Sequence, residues 1–210
     1  MAVRLIAKTV PVSEEFGKSL SEFIAYCARV SNPNNQWNHE TAAKLLEYLE
    51  KHKHFSPFEM ADICLEIETT RDIARQLLRH RSFSFQEFSQ RYANVENFSP
   101  PKEARLQDLK NRQNSIEIFD TLKDQEWRTK QDIAITKCKE LYDWAITNGI
   151  AKEVARVVLP EGLTISKLYM KGSVRSWIHY LAVRLDPSTQ KEHRLLAEEI
   201  KIAIEKAIYT

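Results

Sequence analysis

The chain has 210 residues, enough for one substantial core and short for two. Hydrophobic content of 43% and charged content of 29% are those of an ordinary globular protein, and a net charge of only +2 argues against a general nucleic-acid coat. No apolar run reaches the roughly 18 to 20 residues of a membrane helix; the start MAVRLIAKTVPVSEEF has no cleavable leader; and Cys27, Cys64 and Cys138 are too few and too scattered for a disulfide framework or a zinc site, so a reduced, cytoplasmic protein is expected.

The β-branched stretch VRLIAKTV, 3–10, bounded by Pro11, predicts a first strand. Ser13 before Glu14 and Glu15 marks a helix start, and Phe16, Leu20, Phe23 and Ile24 repeat at helical spacing up to Arg29-Val30-Ser31. NPNNQW is a loop, and HETAAKLLEYLEKH, 39–52, a second helix with Leu45, Leu46 and Leu49 on one side. In ADICLEIETT, 61–70, Ile63, Leu65 and Ile67 alternate with Cys64, Glu66 and Glu68, the pattern of a half-buried strand. Thr70 is placed to cap a helix running to Arg81, and SFSFQEF after it alternates again.

Residues 99–112 are rich in Pro and Lys and read as irregular; a long helical region comes next over 114–147, stopped by Asn148-Gly149. IAKEVARVVL is a short amphipathic helix ended by Pro160, GLTISKLYMKG a strand, and SVRSWIHYLAVRL and STQKEHRLLAEEIKIAIEKAI two closing helices separated at Asp186-Pro187. The expected fold is α+β: a single domain over 1–210, with a mixed or antiparallel sheet flanked by helices. Four Gly leave no Gly-rich phosphate loop, so side chains must hold any phosphate.

The stretch RHRSFSFQEFSQRY, 79–92, concentrates the candidate chemistry. At helical spacing Gln76, Arg79 and His80 share a face, as do Arg75 and Arg79. A solvated basic helix end accounts for Arg-His-Arg alone. Phe83, Phe85 and Phe88, however, would bury one side of the next segment, while Ser82, Ser84, Gln86 and Ser89 offer hydrogen bonds. Arg91 adds a third forked guanidinium, suited to two phosphate oxygens. A rival reading takes 79–92 as a non-catalytic nucleotide- or RNA-binding module, stacking bases on the Phe rings. Other residues have plain explanations: His54 as a helix-end cap, Glu153 and Arg156 as a local ion pair, Trp177 and Tyr180 as packing, and the cysteines as buried apolar groups.

Arg79-His80-Arg81, seven residues, Ser89, one residue, Arg91: this spacing resembles the signature of the flavin-dependent thymidylate synthases. HFSPFEM at 54–60, ARVS at 28–31, EVARVVLP at 153–160, and the Arg175-to-Arg184 spacing with Gln190 and Glu192 after it resemble further family elements in the same order. Departures stand at Met60, Phe85-Gln86, Ser173, His179 and Ser188.

The resemblance implies reductive methylation of dUMP to dTMP. Methylene-tetrahydrofolate supplies the carbon, and FAD, reduced by NADPH, supplies the hydride. It implies a homotetramer whose active sites are shared between chains, with no nucleic-acid or membrane partner and no metal. It places dUMP at Gln76, Arg79, Glu87, Ser89, Gln90, Arg91, Arg156 and Arg184. It places FAD at Ser31, His54, Ser56, Glu59, Arg79, His80, Arg81, Glu87, Arg175 and His179. Arg184 is the candidate for stabilising negative charge on the uracil. Ser89 is a candidate at the reacting ring, read as a phosphate or ring ligand because no base adjoins it in sequence.

Overall fold

The computed structural model describes residues 2–210. The first strand, β1, is Ala2–Lys8. Ser13 caps only a single 3-10 turn, Glu14–Phe16, and not the first helix. Gly17 separates the two: it has φ 120°, and a Cβ there would lie 2.7 Å from the backbone nitrogen of Phe23. Helix α1, Leu20–Ala28, therefore starts with Ser19, whose hydroxyl accepts the Glu22 N–H at 3.3 Å. Helix α2 is Ala42–Lys51 and buries Leu46 and Leu49.

Strand β2, Asp62–Thr70, runs into helix α3, Arg71–Leu77. The expected continuation of α3 to Arg81 does not occur. Thr70 gives its hydroxyl to the Asp72 carboxylate and caps no backbone N–H. The His80 N–H closes onto the Leu77 carbonyl at 2.9 Å, and the Phe83 N–H onto the His80 carbonyl at 3.2 Å. Burial of Phe83 forces the exit: its ring meets Trp177 edge-on at 4.6 Å. A Cβ at Gly172 would sit 2.5 Å from that ring, so the space exists only because residue 172 is Gly. The alternation after it becomes strand β3, Ser84–Glu87; Phe85 is half-buried, while Phe88, out of phase with the alternation, is exposed.

The stretch read as irregular contains β4, Arg105–Gln107, which pairs with β5, Ser115–Glu117, as a hairpin. Helix α4, Thr121–Thr147, starts later than the expected 114 because Asp120 is the cap, accepting the Lys123 N–H at 3.0 Å. It stops at Asn148 and Gly149, the latter at φ 76°. Helix α5, Lys152–Ala155, tightens into a 3-10 turn over Arg156–Val158. Strand β6, Ile165–Ser173, and helices α6, Val174–Arg184, and α7, Lys191–Tyr209, complete the chain.

The main sheet has the order β1-β2-β6-β3, with every neighbouring pair antiparallel. Leu65 faces Met170 and Ile67 faces Leu168, all fully buried. Helices α1, α2, α6 and α7 cover that face through Ile24, Leu46, Trp177 and Ile200. The opposite face carries Arg4–Glu66 at 3.0 Å and Lys171–Asp62 at 2.7 Å, as suits a sheet with one covered side. This is an α+β architecture. A smaller apolar cluster of Val95, Tyr142, Ala145 and Ala155 ties α4 to α5. Cys27, Cys64 and Cys138 are half-buried, not buried as expected, and all are free. No helix is long and apolar enough to cross a membrane, among the described residues.

Candidate active site

At one end of β6 the Ser166 hydroxyl donates to Glu87 at 2.7 Å, and Glu87 also faces Arg71 at 3.5 Å. The chain then turns at Ser89, whose hydroxyl accepts the Arg91 N–H at 3.3 Å and whose carbonyl accepts the N–H of Ala93 at 3.1 Å. No titratable side chain hydrogen-bonds the Ser89 hydroxyl among the described residues. The turn drives Gln90 inward until it is 5% exposed. Its amide nitrogen has no hydrogen-bond partner.

Gln90 lines a 360 Å³ cavity together with Arg71, Arg75, Glu153, Arg156 and Glu161. Arg75 is paired with Glu161. The ion pair expected between Glu153 and Arg156 is not formed. The Glu153 carboxylate instead takes Arg91 at 3.2 Å, and Arg156 donates to the Glu153 backbone carbonyl at 3.3 Å. Arg156 thus has no carboxylate partner among the described residues. An unpartnered buried donor costs roughly 1–3 kcal/mol. Gln90 and Arg156 are thus the lining donors of this cavity that no carboxylate engages among the described residues. Arg71 goes unnoticed in the sequence and Arg75 is noted only for the face it shares with Arg79; their own i,i+4 spacing on α3 was the available signal.

A second cluster forms where α3, α6 and α7 meet. Because α3 stops at Leu77, Gln76, Arg79 and His80 do not share a helix face; His80 turns inward while Arg79 and Arg81 remain exposed. Arg184 donates from Nε to His80 Nε2 at 2.9 Å, which puts the imidazole proton on Nδ1. Burial, and then the Arg184 charge, lowers the His80 pKa to about 4, so the ring is a neutral acceptor. His193, fully buried, contacts the Tyr180 hydroxyl at 3.1 Å and Gln76 Oε1 at 3.0 Å, and burial holds it neutral with a pKa of about 3. Burial likewise pushes the Tyr180 phenol above its ordinary range. Tyr180 and Trp177 are packing residues, as expected, yet Tyr180 also enters this network.

A third cluster lies at the far end of β6. Glu59 accepts the Ser173 hydroxyl at 2.6 Å and pairs with Arg175 at 2.9 Å. Arg175 reaches His179 at 3.5 Å, and the His179 ring lies 4.9 Å from Phe55. Ser173, a departure from the family pattern, therefore still supplies a hydrogen-bonding group. Ser31, His54, Ser56, Arg79 and Arg81 are exposed, with no side-chain hydrogen bond or ion pair among the described residues, and the fold of one chain does not gather them with the others.

The first and third clusters attach at Ser166 and Ser173, seven steps apart on β6, or about 23 Å at about 3.3 Å per residue. Gln90, Arg91 and Arg156 therefore cannot touch the same small group as Glu59 and Arg175 of their own chain.

Residues 16–208 match the Thy1 family, described as thymidylate synthase complementing protein. The chain belongs to this family. A probable flavin-dependent thymidylate synthase of Paramecium bursaria Chlorella virus 1 is 50% identical over 201 residues, covering 96% of this chain and 92% of the viral one. The flavin-dependent thymidylate synthase of Synechocystis sp. is 52% identical over 199 residues, covering 94% and 91%. The crystal structure of a UMP/dUMP methylase, PolB from Streptomyces cacaoi, bound with 5-Br dUMP, superposes with TM-score 0.80 at 27% identity, covering 98% of this chain and 90% of that one.

Proposed function

We propose that the chain is a flavin-dependent thymidylate synthase: a cytoplasmic homotetramer that methylates dUMP to dTMP with methylene-tetrahydrofolate as carbon donor, FAD as cofactor and NADPH as reductant. The names borne by relatives of about half-identical sequence support this reading, as does the dUMP analogue held by the PolB structure. The observation that carries it is the cavity in which the orphaned Gln90 amide meets the guanidiniums of Arg71, Arg75 and Arg156.

In this reading Gln90 and Arg156 hold the dUMP phosphate, with Ser89 and Arg91 at its rim. Arg91 exchanges Glu153 for the phosphate, which offers two acceptors to its fork. Glu87 and Gln76 hold the nucleoside, and Arg184 lies against the pyrimidine carbonyls. A guanidinium there stabilises the negative charge that develops on the ring when hydride adds at C6. The neutral His80 fixes the Arg184 side chain by accepting from its Nε and leaves the guanidinium charge undiminished.

The residues fit FAD by their donor chemistry. Exposed, carboxylate-free guanidiniums at Arg79 and Arg81 suit a pyrophosphate, and Glu59 with Arg175 and His179 forms a polar wall for a flavin or its adenosine. Ser31, His54 and Ser56 complete the assignment. FAD, once reduced by NADPH, supplies the hydride, so the protein needs no nucleophile of its own. The 23 Å between clusters, taken from about 3.3 Å per strand residue, keeps Glu59 and Arg175 of one chain away from a small group held at Gln90 and Arg156, which suits a site shared between chains.

The rival base-stacking module is weakened because Phe83 is buried against Trp177 and Phe85 is half-buried, leaving few free aromatic faces. The test is tritium release from position 5 of labelled dUMP by the purified protein, with the folate and NADPH. Release that depends on both, from yellow protein, is expected. Flavin-loaded protein that releases none overturns the assignment.

A further inference from the structure

The side chains around Gln76 form a hydrogen-bond chain whose direction is fixed from one end. Glu192 on α7 is a carboxylate and can only accept; its Oε1 takes Arg105 at 2.6 Å, with both side chains largely buried. Its Oε2 lies 3.0 Å from the Gln190 amide nitrogen, so Gln190 must turn its carbonyl oxygen the other way. That oxygen accepts from Gln76 Nε2 at 2.8 Å, which in turn forces Gln76 Oε1 toward His193. His193 donates from Nδ1 to Gln76 Oε1 at 3.0 Å and accepts the Tyr180 hydroxyl at Nε2, 3.1 Å away. Reversing any single amide would set two acceptors or two donors against each other, at a cost on the order of 1–3 kcal/mol for each unsatisfied buried group.

The consequence falls on Gln76. Its oxygen is turned inward against a fully buried ring. Its nitrogen carries two hydrogens, and only one is used, by the exposed Gln190. We propose that His193 is a positioning residue which, with Glu192 anchoring the far end, locks the Gln76 amide so that the nucleotide site meets a donor and not an acceptor. This rests on the reading of Gln76 as a nucleotide contact. Its ligand atom is then an acceptor oxygen, either a pyrimidine carbonyl or a phosphate oxygen. Where that carbonyl is O4, the lock also selects uracil over cytosine, whose exocyclic amino group takes the same place and would face an N–H; O2 is common to both bases.

Titration calorimetry on the FAD-loaded protein with dUMP, deoxyuridine and dCMP tests this in the wild type, His193→Leu, His193→Asn and Glu192→Gln. Asn offers an amide nitrogen near the place of imidazole Nδ1 and should restore binding. Glu192→Gln preserves shape but frees the polarity. His193→Leu should weaken dUMP binding roughly 5- to 30-fold, the size of one hydrogen bond to a polar acceptor, and Glu192→Gln should weaken it less. If the partner is uracil O4, deoxyuridine falls by the same factor and the preference for dUMP over dCMP narrows; if it is O2, deoxyuridine falls by the same factor and the preference is unchanged. If it is the phosphate, deoxyuridine is unchanged and dCMP falls with dUMP. Should His193→Leu fail to fold, the near-isosteric Glu192→Gln decides. Wild-type binding with both Glu192→Gln and His193→Leu unchanged overturns the lock alone; no dUMP binding by the wild type overturns the nucleotide reading and the lock together.

Discussion

The cavity at Arg156 and the junction at His193 are built from similar residues and end in opposite states. At the junction every polar side chain has a partner in its own chain: Arg184 has His80, His193 has Tyr180 and Gln76, and Glu192 has Arg105. In the cavity Gln90 has none, and Arg156 touches only a backbone carbonyl. The difference teaches where a ligand belongs. A closed network has already spent most of its hydrogen bonds on holding groups still, whereas an open one keeps donors available to a ligand. Arg184 and Gln76 belong to both kinds: His80 uses the Arg184 Nε and leaves the terminal guanidinium nitrogens without a partner among the described residues, and Gln190 uses one of the two Gln76 amide hydrogens.

The largest effect should come from Arg184. Arg184→Ala removes the guanidinium placed at the developing charge and should cut turnover on the order of 10²–10³-fold, with flavin still bound. Turnover by tritium release and flavin absorbance check it. Flavin lost along with turnover would move Arg184 from the uracil to the cofactor and blur the contrast between the two regions. On the open side, Arg156→Ala should weaken dUMP by about 2–5 kcal/mol, because a buried phosphate is left without its partner, and Arg91→Ala, at the exposed rim, should weaken it less. Calorimetric titration with dUMP measures this, and unchanged affinity in Arg156→Ala would mean that the orphaned Gln90 serves something other than phosphate.

How much of this contrast was legible in the sequence depends on which forces act locally. The alternation of Ile63, Leu65 and Ile67, and the stop at Asn148-Gly149, were readable because pleat and cap geometry depend on near neighbours. The early end of α3 was not, because it depends on Phe83 finding Trp177, 94 positions later, across a space left by Gly172. Nor could the sequence separate His80 from its flanking arginines; that division comes from the same early end. Of the hairpin, β4 hid in a stretch of Pro and charge and β5 inside the start of the region read as helix, with strands too short for a period to register. Residue types for anion binding were legible at Gln90, Arg91 and Arg156. Arg71 and Arg75 became candidates only once the turn at Ser89 brought Gln90 beside them.

The closed junction also makes a prediction about acid. His80 and His193 have folded-state pKa values of about 4 and about 3, against an ordinary 6.5. Groups facing them are Arg184, Tyr180, Gln76 and each other. A base whose pKa is lowered on folding stays neutral in the native state while the unfolded chain takes up its proton. Stability is therefore full above about pH 6.5 and falls as pH drops from there toward about 4. His80 is half-exposed, which reduces its share, and the two together should cost at most a few kcal/mol. Urea midpoints between pH 7 and pH 5, where most carboxylates have yet to titrate, read this directly. His193→Asn, which cannot titrate, should flatten the slope, and an equally steep slope in that variant would show that His193 is not its source.

The smallest effect on stability should come from the far end of β6. The Glu59–Arg175 pair is 2.9 Å long, but its side chains are 45% and 43% exposed, and such a pair contributes about 0–1 kcal/mol. Glu59→Gln keeps the shape and an acceptor for Ser173, so thermal unfolding should shift by no more than a few degrees. Flavin retention after gel filtration should fall nonetheless if this wall holds the cofactor. A binding role and a folding role part here, because an exposed ion pair can be dispensable to the fold while its geometry still orders a ligand. Unfolding that shifts strongly while flavin stays bound would place Glu59 with the closed network of the junction, as a structural pair, and leave the flavin to Arg79 and Arg81.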